Sequence, residues 1–352
     1  FIMAAYTAAY IVLNTQKGRF RTMTKKYFPG ANTGRGFIGH FESIVPPWEK
    51  PHYTYILKGG PGVGKNTLMK KVSCLARANG FAVEEFRCAS DPESLDAVRI
   101  PQKGIVLLDG TAPHTVDPAV PGVEGEILNL GHFLHREAFA RRRGELQLLL
   151  SENRAHYSAA FACLSAAGTL RRAAVTDAAR SADLPMIRAF LREGFPLSAP
   201  GGTRTLFLRT PTPGGVIDLR ETVGTDNTVF LPGILGAVFL REAAALADGT
   251  RAEVFLDFLT PELPQCIRLP DSGTMLCAVD DTHSTLNEFL LSPIPEFVSF
   301  ALHEADLLTA RAVEALRLCK RTHDAIETLY RPYVDYDRVD RETQALLEKL
   351  DL

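Results

Sequence analysis

A glycine-rich segment between a predicted strand and a predicted helix constrains this chain more than any other feature. Residues 53–57 (YTYIL) are mostly aromatic or β-branched, which favours a strand. Residues 59–65 (GGPGVGK) follow, and apolar residues then recur at helical spacing over residues 66–78. Strand, loop and helix stand in the order of the pattern GxxxxGK(S/T), so the sequence predicts a phosphate-binding loop.

The residue types in this loop suit the phosphates of a nucleotide. Small residues let several backbone N–H groups converge on one phosphate, and the helix N-terminus adds partial positive charge. Lys65 stands where its ammonium group can reach β- and γ-phosphate oxygens. The alternative is a glycine-rich turn before an ordinary helix, but the lysine in register favours the phosphate loop. The predicted ATP contacts are Gly59, Gly60, Pro61, Gly62, Val63, Gly64, Lys65, Asn66 and Thr67.

One position departs from the pattern. Asn66 stands where a Ser or Thr hydroxyl normally ligates Mg²⁺. An amide oxygen can ligate a metal, but this side chain is longer and its NH₂ group cannot. Thr67 points about 100° further around the helix, which suits an α-phosphate better than the metal. We therefore expect nucleotide binding with weakened Mg²⁺ binding and slow turnover.

A second apolar segment, residues 104–109 (GIVLLD), predicts a buried parallel strand that ends in Asp109. Asp109 and Asn66 are the predicted Mg²⁺ ligands, and Lys65 and Asp109 the leading catalytic residues. The alternative for Asp109 is an Asp-Gly turn that caps the strand. In the turn-rich loop that follows, His114 could sense the γ-phosphate and Asp117 could position water or metal. Two alternatives are equally open: His114 is a loop residue with ordinary hydrogen-bond partners, and Asp117 caps a turn.

The chain also contains an internal repeat. Residues 80–114 align without gaps with residues 249–283, with ten of the 35 positions identical, where chance gives roughly two. A looser match upstream pairs Phe28 with Phe207 at a longer spacing. We name residues 28–114 the first copy and residues 207–283 the second copy. The spacing shrinks by ten between the two matches, and we place the missing residues around the phosphate loop.

The second copy lacks the residues that would bind a nucleotide. Its segment 228–238 has no lysine after a glycine, and Ala278 occupies the position of Asp109. The sequence therefore predicts an α/β protein of two tandem P-loop NTPase-like domains with doubly wound parallel sheets, the second degenerate. The predicted boundaries are 23–193 and 204–352, with a Pro/Gly/Ser-rich linker at 194–203 and helices at 137–167, 297–329 and 340–352. Residues 1–22 are expected to be an extension before a start at Met23.

Composition excludes several other classes of protein. A net charge of −2 provides no basic surface for nucleic acid. No apolar run reaches the roughly 18–20 residues of a membrane helix. The six cysteines are scattered without metal-ligand spacing, so we expect free thiols and a cytoplasmic location. The second substrate and the oligomeric state are left open.

Three segments together resemble a known family. They are residues 58–71 (KGGPGVGKNTLMKK), 88–101 (CASDPESLDAVRIP) and 107–122 (LLDGTAPHTVDPAVPG). This pattern is similar to that of an uncharacterised bacterial family of tandem P-loop ATPases, over most of residues 23–352. The resemblance implies two P-loop domains and ATP binding, with Gly59, Gly64, Lys65, Thr67 and Asp109 in the site. In that family the loop ends in Lys-Ser-Thr and the second copy generally has its own loop; both features differ here.

Three functions remain open from the sequence. The leading one is an ATP-binding NTPase, either a slow hydrolase or a nucleotide-dependent switch. The second is a small-molecule or nucleoside kinase, with Asp91 or Asp96 on the acceptor and residues 141–143 (RRR) as a lid. For Asp91, the cap of a short helix is the alternative. The third is a non-catalytic nucleotide sensor, which Asn66 and the degenerate second copy favour.

Overall fold

The computed structural model describes residues 24–112, 115–118, 120–225, 227–279 and 286–352, which form an α/β protein with two mixed sheets. In spatial order, the first sheet contains β1 (Thr24–Tyr27), β5 (Val83–Arg87), β6 (Leu95–Ile100), β7 (Ile105–Asp109), β4 (Tyr53–Lys58) and β8 (Gly125–Asn129). The second contains β12 (Asn227–Pro232), β15 (Thr274–Val279), β14 (Pro264–Leu269), β13 (Ala252–Leu256) and β9 (Thr203–Leu206). Two hairpins accompany them: β2 (Gly30–Thr33) with β3 (Gly36–Gly39), and β10 (Arg209–Thr212) with β11 (Gly215–Asp218).

The α-helices of the described residues fall before, between and after these strands. They are α1 (Lys65–Ala78), α2 (Arg136–Ala140), α3 (Arg143–Ser181), α4 (Leu184–Gly194), α5 (Arg220–Val223), α6 (Gly233–Ala247), α7 (Glu296–Tyr330) and α8 (Tyr336–Leu350). The predicted strand before the glycine loop is confirmed as β4, and the helix after it as α1. The strand expected at residues 104–109 is confirmed as β7, and β15 occupies the equivalent place in the second copy.

The sheets are not wholly parallel, which corrects the expectation. β6 runs antiparallel to both β5 and β7, and β14 runs antiparallel to both β13 and β15. Only residues 88–94 connect β5 to β6, and a parallel pair needs a crossover of about a dozen residues or more. The short helix considered after Asp91 is absent from the described residues, because the chain turns there and enters β6.

The strand order repeats along the chain, as the sequence repeat implies. β1, β5, β6, β7 and β4 correspond in order and direction to β9, β13, β14, β15 and β12. The pairing of Glu84 with Arg99 recurs as Glu253 with Arg268, each 169 residues later (253 − 84 and 268 − 99). β8 has no counterpart among the described strands of the second sheet.

The residues missing from the second copy fall in two places, which corrects the expectation that all lie at the loop. β1 and β9 start 179 residues apart (203 − 24), whereas β4 and β12 start 174 apart (227 − 53). The remaining shortening follows β12, because α6 begins immediately after that strand, whereas residues 59–64 separate β4 from α1. The second copy therefore has no loop at this point.

Each sheet is covered by helices on one face and by the other sheet on the opposite face. Alternate residues of a strand face opposite sides. In β7, Leu107 packs with α1, whereas Leu108 lies in a core shared with the second copy. In β15, Leu276 packs with α6, whereas Cys277 faces that shared core. The arrangement is helices, sheet, sheet, helices, rather than two separate doubly wound sheets.

The contacts between the copies are nearly reciprocal. Phe28 N donates to Phe207 O over 2.9 Å, and Phe207 N donates to Phe28 O over 3.0 Å. The hydroxyl of Ser43 accepts from Thr205 N, and the hydroxyl of Thr222 accepts from Lys26 N. The copies are therefore related by an approximate twofold axis.

A buried ion network joins the copies in the shared core. The Arg204 guanidinium lies 2.8 Å from Glu84 and 2.9 Å from Glu253. Arg99 also binds Glu84, at 2.7 Å, and Arg268 binds Glu253. Burial alone would raise the pKa of Glu84, but the two arginines outweigh it and lower that pKa to about 2.

Some of the helices that follow each copy pack on the other copy. Helices α3 and α4 follow the first copy but pack with α6 and the second sheet. Helix α8 ends the chain but packs with α1 and the first sheet. Helices α3 and α7 run antiparallel along each other, with Ala160 beside Leu316 and Ala178 in one cluster with Val298. The domain boundaries at residues 193 and 204 stay a prediction. Wherever they lie, α3 and α4 pack on the second sheet and α8 packs on the first.

Two further expectations concern the thiols and the membrane. All six cysteines are free thiols, with Cys266 directly opposite Cys277 in the β14–β15 pair. Burial, followed by the neighbouring Cys277, raises the pKa of Cys266 well above its usual value. In the part of the chain that the structure describes, no helix is both long and apolar enough to cross a bilayer.

Candidate functional site

The glycine loop connects the C-terminal end of β4 to the first turn of α1. Gly59, Gly62 and Gly64 have φ angles of 142°, 74° and 101°, values that side chains with a Cβ rarely adopt. Helix α1 begins at Lys65, so its unpaired N–H groups open at the loop. The sequence places glycine at each position where this backbone path requires it.

Lys65 is folded over the loop rather than extended into solvent. Its Nζ donates to Gly59 O over 2.6 Å and to Gly60 O over 3.0 Å. The same ammonium group lies 3.6 Å from a carboxylate oxygen of Asp109, and the Lys65 side chain is only 10 % exposed. A buried ammonium group with one carboxylate nearby is suited to bind an anion.

Asp109 reaches the loop because β7 lies beside β4 in the sheet. Leu57 pairs with Asp109 in the parallel register, so both strands end at the same edge. One Asp109 oxygen accepts from Thr111 N at 2.9 Å, and the Thr111 hydroxyl donates to Gly59 O at 3.1 Å. The turn therefore leaves the second carboxylate oxygen toward Lys65.

Both ends of the Asn66 amide group are hydrogen-bonded within the protein. Its amide oxygen accepts from Leu95 N at 3.2 Å, and its NH₂ group donates to the Ser94 hydroxyl at 3.0 Å. That hydroxyl donates in turn to Asp91 over 2.8 Å. The side chain thus ties α1 to the loop between β5 and β6.

Two further acids stand beside the loop. Asp96 is 4 % exposed and lies one residue before Ala97, which pairs with Leu108 next to Asp109. Burial and, after it, the negative charge of Asp109 raise the pKa of Asp96 to about 7. Asp91 is less buried and lies 3.7 Å from Lys320 of α7.

A cavity of about 790 Å³ opens over the loop. Its lining combines the loop, the turn after β5, the end of β7, the first hairpin and three helices. The C-terminal helices contribute directly, since Tyr336 donates its hydroxyl proton to Gly62 O at 2.8 Å. The lining is Asn32, Phe37, Pro61, Gly62, Val63, Gly64, Lys65, Asn66, Thr67, Cys88, Ser90, Asp91, Ser94, Leu95, Asp96, Asp109, Thr111, Ala112, Leu146, Leu150, Asn153, Tyr157, Phe161, His323, Ile326, Glu327, Tyr330, Arg331 and Tyr336.

The remaining predicted residues fall elsewhere. His114 lies outside the described residues. Asp117 is exposed and pairs with Lys58 over 3.3 Å, away from the cavity lining. Arg142 binds Glu145 on the surface, and none of residues 141–143, all of which the structure describes, lines the cavity. Asp91 and Asp96, the acceptor residues of the kinase alternative, both line the cavity over the loop.

The second copy has no comparable loop. Helix α6 starts at Gly233, directly after β12, and a Cβ at Gly236 would come within 2.3 Å of Leu231 O. Ala278 occupies the place of Asp109, paired with Leu231 as Asp109 is with Leu57. The second copy was expected to lack counterparts of Lys65 and Asp109, and its backbone agrees with that expectation.

Several residues of the site were not foreseen from the sequence. Thr111 had a local signal, since it follows the Asp-Gly turn. Tyr330 had none: its ring covers Gly60, where a Cβ would meet the ring at 2.6 Å. Val339 similarly covers Gly64, at 2.9 Å. Both lie more than 250 residues further along the chain, so only tertiary structure brings them to the loop.

No group of three or more His, Cys, Asp or Glu residues that could hold a metal ion occurs within the described ranges. Asp109 can supply one carboxylate oxygen to Mg²⁺, whereas the amide oxygen of Asn66 already accepts a backbone hydrogen bond. Comparison of the chain with protein-family models, with curated proteins and with solved structures finds no match in any of the three.

Proposed function

We propose that this chain is an ATP-binding P-loop NTPase with one nucleotide site, at the loop of the first copy. The placement of Lys65 is the main support. Its ammonium group lies over the glycine loop and 3.6 Å from Asp109, at the shared C-terminal edge of two parallel strands. This is the arrangement that binding of a triphosphate needs, because a cation and convergent N–H groups meet beside a carboxylate for the metal. The resemblance to tandem P-loop ATPases fits this proposal.

The contacts of Lys65 with the loop carbonyls are replaceable. Two loop carbonyls hold the ammonium group, at 2.6 and 3.0 Å, and β- and γ-phosphate oxygens would compete for the same donors. Hydrogen bonds to charged oxygens are about twice as strong as neutral ones. Lys65 therefore turns from the carbonyls to the phosphates, where it stabilises the charge of the transferring phosphoryl group.

The metal shell is incomplete on the protein side. Mg²⁺, when bound, neutralises charge between the β- and γ-phosphates, and it usually takes one or two carboxylates plus phosphate oxygens and water. Asp109 fits this role. Asn66 fits it less well, because its amide oxygen already accepts from Leu95 N and its NH₂ group donates to Ser94. We expect slow hydrolysis, ADP binding at least as tight as ATP binding, and a small effect of Mg²⁺. A cytoplasmic location also remains a prediction.

Calorimetric titration of ATP and ADP, with and without Mg²⁺, tests this proposal. Lys65→Ala should weaken ATP binding at least tenfold, about 1.4 kcal/mol, with the fold intact. Lys70→Ala is the matched control, because Lys70 is an exposed lysine of the same helix. An unchanged ATP affinity in Lys65→Ala would refute the phosphate-loop assignment.

A non-catalytic nucleotide sensor is the second candidate, and one contact favours it. The Tyr336 hydroxyl of α8 donates to Gly62 O, so a movement of the loop on nucleotide binding would alter the position of α8. Turnover separates the two candidates. A purified protein that binds ATP but releases no phosphate with saturating Mg²⁺ would be a sensor.

A further inference from the structure

The cavity includes residues 61–67 of the proposed nucleotide site and extends to one side of them. In the proposed function, Lys65 and Asp109 mark the position of the γ-phosphoryl group. The walls beyond them come from the β7 side of β4, namely the turn after β5 and the start of β6. Residues 125–134, all described, form β8 and the turn on the other side of β4, and none of them lines the cavity. The space therefore borders the transferable phosphoryl group.

The volume of the cavity is that of a site for organic ligands. Such sites measure roughly 300–1,000 Å³, whereas a water molecule occupies about 30 Å³. Part of the cavity of about 790 Å³ lies over residues 61–67 and would hold the phosphates of the nucleotide. The rest extends past Asp109 to Asn153 and His323, and it is lined by more residues than one ordered water would contact.

The wall opposite the loop carries two polar side chains, Asn153 of α3 and His323 of α7, and both residues line the cavity. Within the described residues, Asn153 Oδ1 and His323 Nδ1 have no hydrogen-bond partner, and both atoms are shielded from solvent. Because an unpaired buried polar atom is costly, a ligand that these side chains turn to meet would supply the missing hydrogen bonds. The two side chains can then recognise the polar edge of a bound molecule.

The same wall presents an aromatic surface. The rings of Tyr157 and Phe161 are stacked, with centroids 5.7 Å apart and planes 23° apart. The Tyr157 hydroxyl donates to Ser90 over 2.7 Å, which holds this ring against the turn after β5. Aromatic faces beside amide and imidazole groups suit a planar heterocycle, whose face stacks and whose edge makes hydrogen bonds.

We propose that this cavity binds a second substrate, a nucleoside-type molecule with a planar ring and a hydroxyl group, which accepts the γ-phosphoryl group. The proposal rests on the nucleotide site proposed above. The acceptor hydroxyl oxygen bonds to the γ-phosphorus, and the bond from that phosphorus to the β–γ bridging oxygen breaks. The electron pair leaves with ADP, and the hydroxyl proton passes to a carboxylate oxygen of Asp96. The products are ADP and the phosphorylated acceptor.

The experiment incubates the protein with ATP, Mg²⁺ and one of adenosine, guanosine, cytidine, uridine or thymidine. Chromatography then measures ADP and nucleoside monophosphate. We expect at least one nucleoside to be phosphorylated faster than ATP is hydrolysed by water. Asn153→Leu and His323→Phe should each raise the KM for that nucleoside at least tenfold, with ATP still binding in calorimetry. His303→Ala, at an exposed position of α7, is the matched control and should leave the KM unchanged.

Two results would overturn the proposal while the nucleotide site stands. One is normal ATP binding with none of the five nucleosides phosphorylated and none bound to protein loaded with a non-hydrolysable ATP analogue. The other is nucleoside phosphorylation with the same KM in both cavity variants. Failure of the unmodified protein to bind ATP at all would instead refute the proposed nucleotide site.

Discussion

Replacement of Glu84 by glutamine should measure how much the buried ion network between the two copies stabilises the fold. Glu84 belongs to the first copy, yet it binds Arg204 of β9, in the second sheet, at 2.8 Å as well as Arg99 of its own sheet. Glutamine keeps the shape but removes the charge, so both guanidinium groups lose their shared carboxylate in a buried site. Breaking a buried pair in this way costs about 3–5 kcal/mol of the free energy of unfolding.

The pH dependence gives a second value for the stabilisation that the Glu84 charge contributes. The arginines lower the pKa of Glu84 from 4.5 to about 2, and each pKa unit corresponds to about 1.4 kcal/mol. Because the folded chain holds this proton less tightly than the unfolded chain, the stabilisation is complete above pH 4.5 and disappears as the pH falls toward 2. Its full size is about 3 kcal/mol, and about 2 kcal/mol of it should be lost by pH 3.

Urea unfolding followed by circular dichroism, at pH 7 and at pH 3, measures both quantities. Glu84→Gln should unfold at lower urea than the unmodified protein at pH 7, and the difference should narrow by about 2 kcal/mol at pH 3. Glu221→Gln, at an exposed position, is the control. A loss below about 1 kcal/mol at pH 7, or a difference independent of pH, would refute the reasoning about the buried network.

Two further predictions concern the nucleotide site. Asn66→Ser should increase both the Mg²⁺ dependence and the rate of ATP hydrolysis, because it restores the hydroxyl ligand; if the Asn66 protein already turns over at about 1 s⁻¹ or faster and Ser adds nothing, the impaired-turnover reasoning fails. Calorimetry should find one nucleotide per chain, because β12 runs directly into α6 and Ala278 replaces the metal-binding carboxylate; two equivalent sites would contradict the account of the second copy.

The local elements of the site could be predicted because local rules determine them. Glycine at residues 59, 62 and 64 permits the left-handed backbone of the loop, and the helical spacing after Lys65 predicts α1. The apolar segment ending in Asp109 predicts β7. The α/β class and the repeated strand order follow from the same patterns, since the two copies share their apolar positions.

Three features could not be predicted. β6 was not predicted; it follows directly on the turn at residues 88–94, and all six of its residues are buried in the sheet. The hydrogen bonds of the Asn66 side chain depend on Ser94 and Leu95, which the fold brings to it across the turn. Residues such as Asn153, His323 and Tyr336 reach the cavity from helices that pack across the two copies, and no local pattern encodes that packing.

The sequence by itself therefore determined the glycine loop, Lys65, Asp109, the repeat and the absence of a second loop, because each depends on residue type and spacing over a few residues. The tertiary structure alone decided how the faces of the sheets are covered. Each sheet has an apolar face that helices of its own copy leave bare, and pairing the two copies buries both faces with the Glu84–Arg204 network between them. The same pairing brings α7 and α8, which follow the second copy, against the loop of the first copy. These helices enclose the cavity beside Asp109.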